Sequence, residues 1–77
     1  MVYETEKELL GNNFLVSTEW QIGQCKMKKG DLLTVRDYGS GMASHFVIFQ
    51  NRRLPQYRFT TGTWLFVRNT VKANGGA

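Results

Sequence analysis

Apolar residues alternate with polar ones from Phe14 onward, in short segments that are separated by short connections. In the segment FLVSTEW, Phe14, Val16 and Trp20 share one face, because successive side chains of a strand point to opposite faces. No connection reaches the length of about a dozen residues that a parallel crossover needs. The predicted strands are 14–20, 32–38, 45–50, 57–60 and 63–69. The sequence therefore predicts a mostly β fold, a small five-stranded antiparallel sheet bent into a barrel.

A chain of 77 residues has room for one small domain, 1–77. Residues 3–10 are rich in helix formers and are followed by Gly11, a residue type that often ends a helix. We therefore predict a short N-terminal helix within a helical and turn lead-in over residues 1–13. The last residues, 73–77, have the sequence ANGGA and are expected to form a flexible tail.

One segment resembles a known family. Residues 28–39, KKGDLLTVRDYG, resemble the opening of SH3-like small β-barrels, including the KOW type. Gly30 and Asp31 begin the strand in this pattern, and Leu33 and Val35 alternate inward. The resemblance implies a five-stranded antiparallel SH3-like barrel, and a five-stranded OB-type barrel is the alternative fold.

The residue types that carry catalysis or hold metals are few and scattered. His45 is the only histidine and Cys25 the only cysteine, and neither belongs to a nucleophile–base or metal-ligand pattern. Asp31 and Asp37 lie six positions apart on one predicted strand, which separates them by about 20 Å, too far to act on one bond. We therefore expect no enzymatic activity, no cofactor and no metal site.

The formal net charge of +4 is unevenly distributed along the chain. Residues 1–20 contain four glutamates and one lysine, whereas residues 21–77 contain nine lysines and arginines and two aspartates. Such asymmetry favours a basic surface for an anionic partner, although charges of this number also serve solubility alone.

Basic residues are interleaved with aromatic residues, a pattern with which small barrels hold phosphates and stack bases. Arg52 and Arg53 occupy the tip of a predicted hairpin, where they have no role in the core. Most aromatic side chains are needed for the core, which leaves Tyr38 and Tyr57, with Trp20 as a third, for stacking. We predict a non-enzymatic nucleic-acid-binding barrel. Its predicted binding residues are Lys26, Lys28, Lys29, Arg36, Tyr38, Arg52, Arg53, Tyr57 and Arg58.

The alternative is a small protein-interaction module or adaptor, of the kind that phages use to inhibit a host protein. In this hypothesis an open sheet edge and the basic hairpin contact an acidic protein surface, or a second copy of the chain in a homo-oligomer. Binding to a protein would survive moderate salt and depend on an apolar anchor, whereas binding to nucleic acid would weaken steeply with salt.

The sequence also predicts a location. No apolar run approaches the roughly 20 residues that a membrane-spanning helix needs, and the acidic N-terminal segment lacks the order of a signal peptide. The single cysteine cannot form an internal disulfide. We therefore expect a cytoplasmic protein in a reducing, intracellular setting, without a membrane partner.

Overall fold

The computed structural model describes residues 6–40 and 45–73. The strands are β1 (Asn13–Val16), β2 (Trp20–Ile22), β3 (Cys25–Met27), β4 (Leu32–Ser40), β5 (His45–Asn51), β6 (Leu54–Gly62) and β7 (Thr70–Lys72). A 3₁₀ helix spans Glu6–Leu9, and helix α1 spans Thr63–Asn69. The prediction of a mostly β fold is confirmed. Residues 3–5 of the predicted N-terminal helix and 74–77 of the predicted tail lie outside the described residues.

Five strands form one antiparallel sheet in the order β6-β5-β4-β1-β7, and β2 pairs with β3 in a separate hairpin. The antiparallel prediction is therefore confirmed. Within residues 6–40 and 45–73 no pairing joins β6 to β7, so these strands are the edges of an open sheet and a closed barrel is not observed.

The core lies on one face of the sheet and is closed by α1. Its aromatic centre is formed by Phe49, whose ring centroid lies 5.7 Å from that of Phe59 and 5.2 Å from that of Phe66. Phe66 also meets Phe14 edge to face, at 5.1 Å. The buried apolar residues are Leu9, Phe14, Val16, Met27, Leu33, Val35, Val47, Phe49, Phe59 and Phe66. The alternation predicted for β1 and the first half of β4 is thus confirmed.

The prediction of a fifth strand at 63–69 is wrong, because these residues form α1. The buried residues of this segment are Thr63, Phe66 and Asn69, which follow one another at intervals of three, as on one side of a helix. Trp64 faces solvent and is 64% exposed, although most aromatic side chains were expected to belong to the core. Aromatic and β-branched residues favour a strand, but the segment folds as a helix that buries Thr63, Phe66 and Asn69 on one side.

The segment between the first two predicted strands also differs from the prediction. Strand 14–20 ends early, at Val16, and the hairpin of β2 and β3 follows. Gly23 at its tip has a φ of 61°, a conformation that glycine adopts without strain. Trp20 and Met27 pack the hairpin against the core. Strands of three residues are too short to show alternation, which is why this stretch resembled a plain connection.

A β-bulge interrupts β4 between Val35 and Asp37 and changes the face on which later residues lie. Strict alternation places Arg36 and Tyr38 on the same face. With Arg36 as the extra residue, Tyr38 instead pairs with the buried Val47 and packs against the core. The expectation that these two side chains share one face is therefore wrong.

Candidate functional site

The tip of the β5–β6 hairpin carries Arg52 and Arg53, as the turn residues of the sequence predict. The side-chain oxygen of Asn51 accepts a hydrogen bond from the backbone N–H of Arg53 at 2.9 Å, which closes the turn. The backbone N–H of Arg52 donates to the carbonyl of Leu32 at 2.9 Å. These two bonds fix the tip beside the start of β4.

Arg53 fastens this tip to the turn between β3 and β4. Its Nε donates to Asp31 Oδ1 at 3.0 Å, and its Nη2 donates to Asp31 Oδ2 at 3.0 Å and to the carbonyl of Lys26 at 2.7 Å. Asp31 is the more buried partner, because its side chain is only 9% exposed. Arg53 therefore has a structural role, whereas the sequence analysis expected it to be free for a partner.

The three predicted lysines surround this turn. Gly30 has a φ of 92°, and the backbone N–H of Lys28 donates to Asp31 Oδ2 at 2.8 Å, which closes a tight turn before β4. The backbone N–H of Lys29 donates to Glu19 at 3.1 Å. The ammonium group of Lys26 lies 3.9 Å from the same carboxylate, in an exposed and weak ion pair. All three lysine side chains remain exposed.

The environment of Asp31 sets its protonation. Burial raises its pKa, but hydrogen bonds from Arg53, Asn51 and the backbone of Lys28, together with the charge of Arg53, outweigh this effect. The pKa of Asp31 is therefore lowered from its ordinary value. The carboxylate stays ionised and holds three chain segments together at neutral pH.

We expect an Asp31→Asn variant to lack the part of the folding stability that depends on the ionised carboxylate of Asp31. Because the pKa of Asp31 is lower in the folded chain, its contribution is complete above the unfolded value of about 3.9. That contribution disappears as the pH falls through the folded value. Urea unfolding at a series of pH values measures this, with Asp37→Asn as the control for removing one carboxylate. As the pH falls below about 4, the free energy of unfolding should decrease more steeply for wild type than for Asp31→Asn. Equal slopes for the two proteins would contradict the stabilising role of the ionised Asp31 carboxylate.

A polar cleft lies on the outer face of β1, β4 and β5, with a volume of about 270 Å³. Arg36 and Arg52 stand at this cleft, and the Nε of Arg36 donates to Gln50 Oε1 at 2.7 Å. The hydroxyl of Thr34 donates to Asn13 Oδ1 at 2.6 Å. The lining residues are Asn13, Leu32, Thr34, Arg36, Gln50, Asn51, Arg52 and Pro55, and none of them carries a carboxylate.

We name the cleft, the hairpin tip and the neighbouring turn together the basic surface. The hairpin tip joins its two parts, since Arg52 lines the cleft and Arg53 contacts the turn. The carboxylates of Asp31 and Glu19 contact the lysines and Arg53 of this surface. Its cationic residues are Lys26, Lys28, Lys29, Arg36, Arg52 and Arg53.

The remaining predicted site residues, Tyr38, Tyr57 and Arg58, do not line the cleft. Tyr38 packs against the core, and Tyr57 has its ring centroid 6.0 Å from that of Phe59. Arg58 is exposed on β6. The ring of Trp20 lies 6.4 Å from that of Phe49, and its buried Nε1 has no hydrogen-bond partner within the part of the chain that the structure describes. The structure therefore brings Arg36 and Arg52 to one cleft, and the predicted stacking tyrosines do not line that cleft.

The amide side chains that line the cleft, those of Asn13, Gln50 and Asn51, were not among the predicted site residues. Gln50 belongs to the predicted strand 45–50, but Asn13 lies in the predicted lead-in, and nothing in the sequence shows that both pair with Thr34 of β4. Sequence reasoning also missed the exposure of Trp64, because that residue was assigned to a strand.

Across the described ranges, no three side chains of histidine, cysteine, aspartate or glutamate are grouped as a metal site would require. No helix in the same ranges has the length and apolar character needed to cross a membrane. No protein-family model, curated protein or solved structure matches this chain.

Proposed function

We propose that this protein binds nucleic acid without catalysing a reaction, and that it does so through the basic surface. The observation that carries the proposal is the convergence of Arg36 and Arg52 on one cleft whose lining contains no carboxylate. Guanidinium groups recognise phosphate oxygens with a planar set of donors, which suits them to a polynucleotide backbone.

The charge balance around the cleft supports this proposal. Asp31 already accepts hydrogen bonds from Arg53, Asn51 and Lys28, so it has little remaining capacity to attract other cations. The carboxylate of Glu19 forms only a weak ion pair with the ammonium group of Lys26, at 3.9 Å. The lysines and Arg52 therefore present a positive field, which raises the rate at which a polyanion arrives and supplies its sequence-independent affinity.

An SH3-like barrel is the fold that we propose for this interface. Support comes from the five antiparallel strands in one sheet, and from the turn at Gly30 that opens β4. Leu33 and Val35 point inward on that strand, in keeping with the segment that resembles the family. In this proposal the hairpin of β2 and β3 covers part of the open side of the sheet.

Fluorescence anisotropy with labelled single-stranded DNA, duplex DNA and RNA tests the function. We expect binding whose logarithmic salt slope corresponds to about three to five phosphates. The Arg36→Ala/Arg52→Ala double variant should lose at least about tenfold in affinity and reduce that slope by about two, because each arginine neutralises one phosphate.

The matched control is the Arg68→Ala/Lys72→Ala double variant. It removes the same charge from α1 and β7, where both side chains are exposed and do not line the cleft. We expect it to change affinity less than about threefold. Equal losses in the two double variants would show that only net charge matters, and no binding by wild type at low salt would contradict the proposed function.

A second candidate function, a small protein-interaction module, is favoured by Trp64. Its side chain is 64% exposed beside Leu65, which is 40% exposed, and exposed tryptophans are frequent anchors of protein interfaces. A protein partner whose binding survives moderate salt, is lost in Trp64→Ala and is kept in Arg36→Ala/Arg52→Ala would favour this alternative.

A further inference from the structure

Most of the side-chain hydrogen-bonding capacity that the cleft leaves unused is on donor groups. Gln50 Oε1 already accepts from Arg36, and Asn13 Oδ1 already accepts from Thr34. The amide NH₂ groups of Gln50 and Asn13 thus remain, with the Nη groups of Arg36 and the guanidinium of Arg52. Such a lining satisfies a ligand that only accepts hydrogen bonds and carries negative charge, which is the chemistry of a phosphate group.

An apolar row leads away from this cleft across the same face. Leu32, which lines the cleft, pairs with Leu15 on β1, and Leu15 pairs with Val71 on β7. Leu15 is 37% exposed and Val71 is 53% exposed. Side chains at directly paired positions of a sheet lie side by side, so these three form a continuous strip. The strip lies within reach of whatever occupies the cleft.

We propose that the cleft is a subsite for one phosphate of a single-stranded nucleic acid, with the sugar and base next to it lying on the apolar row of Leu32, Leu15 and Val71. This proposal rests on the proposed function and assigns its ligand class. Arg36 and Arg52 hold the phosphate from two sides, and the amides of Gln50 and Asn13 complete its hydrogen bonds.

Selectivity for single strands follows from the same geometry. In a duplex the bases are paired and stacked inside, so they cannot lie against an apolar strip on a protein surface. A duplex can still meet the arginines and lysines through its phosphates. We therefore expect single strands to bind more tightly than a duplex of equal length at equal salt.

Two substitutions test the cleft by local chemistry at equal net charge. Gln50→Glu replaces a donor by an acidic acceptor, and the new carboxylate keeps a partner in Arg36, so the fold is retained. Gln24→Glu makes the same charge change at the exposed tip of the β2–β3 hairpin. With an oligothymidylate of about 12 nucleotides, Gln50→Glu should weaken binding at least about tenfold and Gln24→Glu less than about threefold.

The apolar row has its own test. Leu15→Ser should weaken binding of the oligothymidylate about threefold to tenfold, because it removes apolar contact with a base, and should leave duplex binding unchanged. Thermal unfolding of each variant checks that the fold is retained, as Leu15 is partly exposed.

The outcomes separate the subsite from the function on which it rests. If wild type binds neither single strand nor duplex at low salt, the proposed function and the subsite both fail. If wild type binds both equally and Gln50→Glu resembles Gln24→Glu, nucleic-acid binding stands and the subsite is overturned. Single-strand preference that is lost in Gln50→Glu and in Leu15→Ser, with Gln24→Glu unchanged, is the result that supports the subsite.

Discussion

Replacing Asn51 with alanine is expected to lower the free energy of unfolding by about 3 kcal/mol, a large share of the stability of so small a domain. Asn51 is fully buried. Its Nδ2 donates to Asp31 Oδ2 at 3.0 Å and to the sulfur of Met27 at 3.4 Å, and its Oδ1 accepts from the N–H of Arg53 at 2.9 Å. Alanine would leave the carboxylate short of a donor, the N–H without an acceptor and a void beside Met27.

Urea unfolding monitored by tryptophan fluorescence measures this loss, and Asn12→Ala provides the matched control. Asn12 also donates one side-chain hydrogen bond, to the carbonyl of Glu8 at 2.8 Å, but that bond is exposed to water. We expect the control to lose less than about 1 kcal/mol, because water replaces the lost partner. Equal losses at the two positions would show that the buried network does not stabilise the fold as described.

A Phe66→Ala variant is expected to lose about 3–5 kcal/mol and to approach unfolding at room temperature. Phe66 is fully buried and packs against Phe14 at 5.1 Å and Phe49 at 5.2 Å between ring centroids. It is the buried apolar side chain by which α1 packs into the core. Its loss would open a cavity and remove the main contact that holds a helix of seven residues, a length that is unstable alone.

Trp64→Ala and Leu65→Ala are the matched controls on the same helix. Both side chains are large, apolar and exposed, so their truncation should cost less than about 1 kcal/mol in urea unfolding. The comparison also separates a helix from a strand. In a strand over 63–69, Trp64 and Phe66 would share one face and their truncations would be similarly costly, which is the result that would contradict α1.

Much of the sheet could be predicted from the sequence because its cause is local. Successive residues of a strand point to opposite faces, so alternation at Phe14 and Val16, and at Leu33 and Val35, identifies the buried face without any knowledge of partners. The tip carrying Arg52 and Arg53 could be predicted for a similar reason, since the preferences of turn residues act over a few positions.

The helical segment shows where local reasoning fails. Residues 63–69 contain threonine, tryptophan, phenylalanine and valine, which favour strands when taken alone. Phe66 packs against Phe14 and Phe49, which come from distant parts of the chain, and it makes these contacts from a helical turn that follows β6. Tertiary packing of one side chain thus overrides the intrinsic preference of the whole segment.

By itself the sequence determined the mostly β antiparallel architecture, the alternating core of β1 and early β4, and the exposed basic turn. These depend on steric and hydrophobic preferences that act between near neighbours. The tertiary structure alone decided the candidate site. A bulge after Val35 separates Tyr38 from Arg36, and pairing through β4 brings Asn13 and Gln50 together. Arg53 donates a hydrogen bond to Asp31, which lies 22 positions earlier in the chain. Registers and bulges are set by how distant strands meet, which no local pattern specifies.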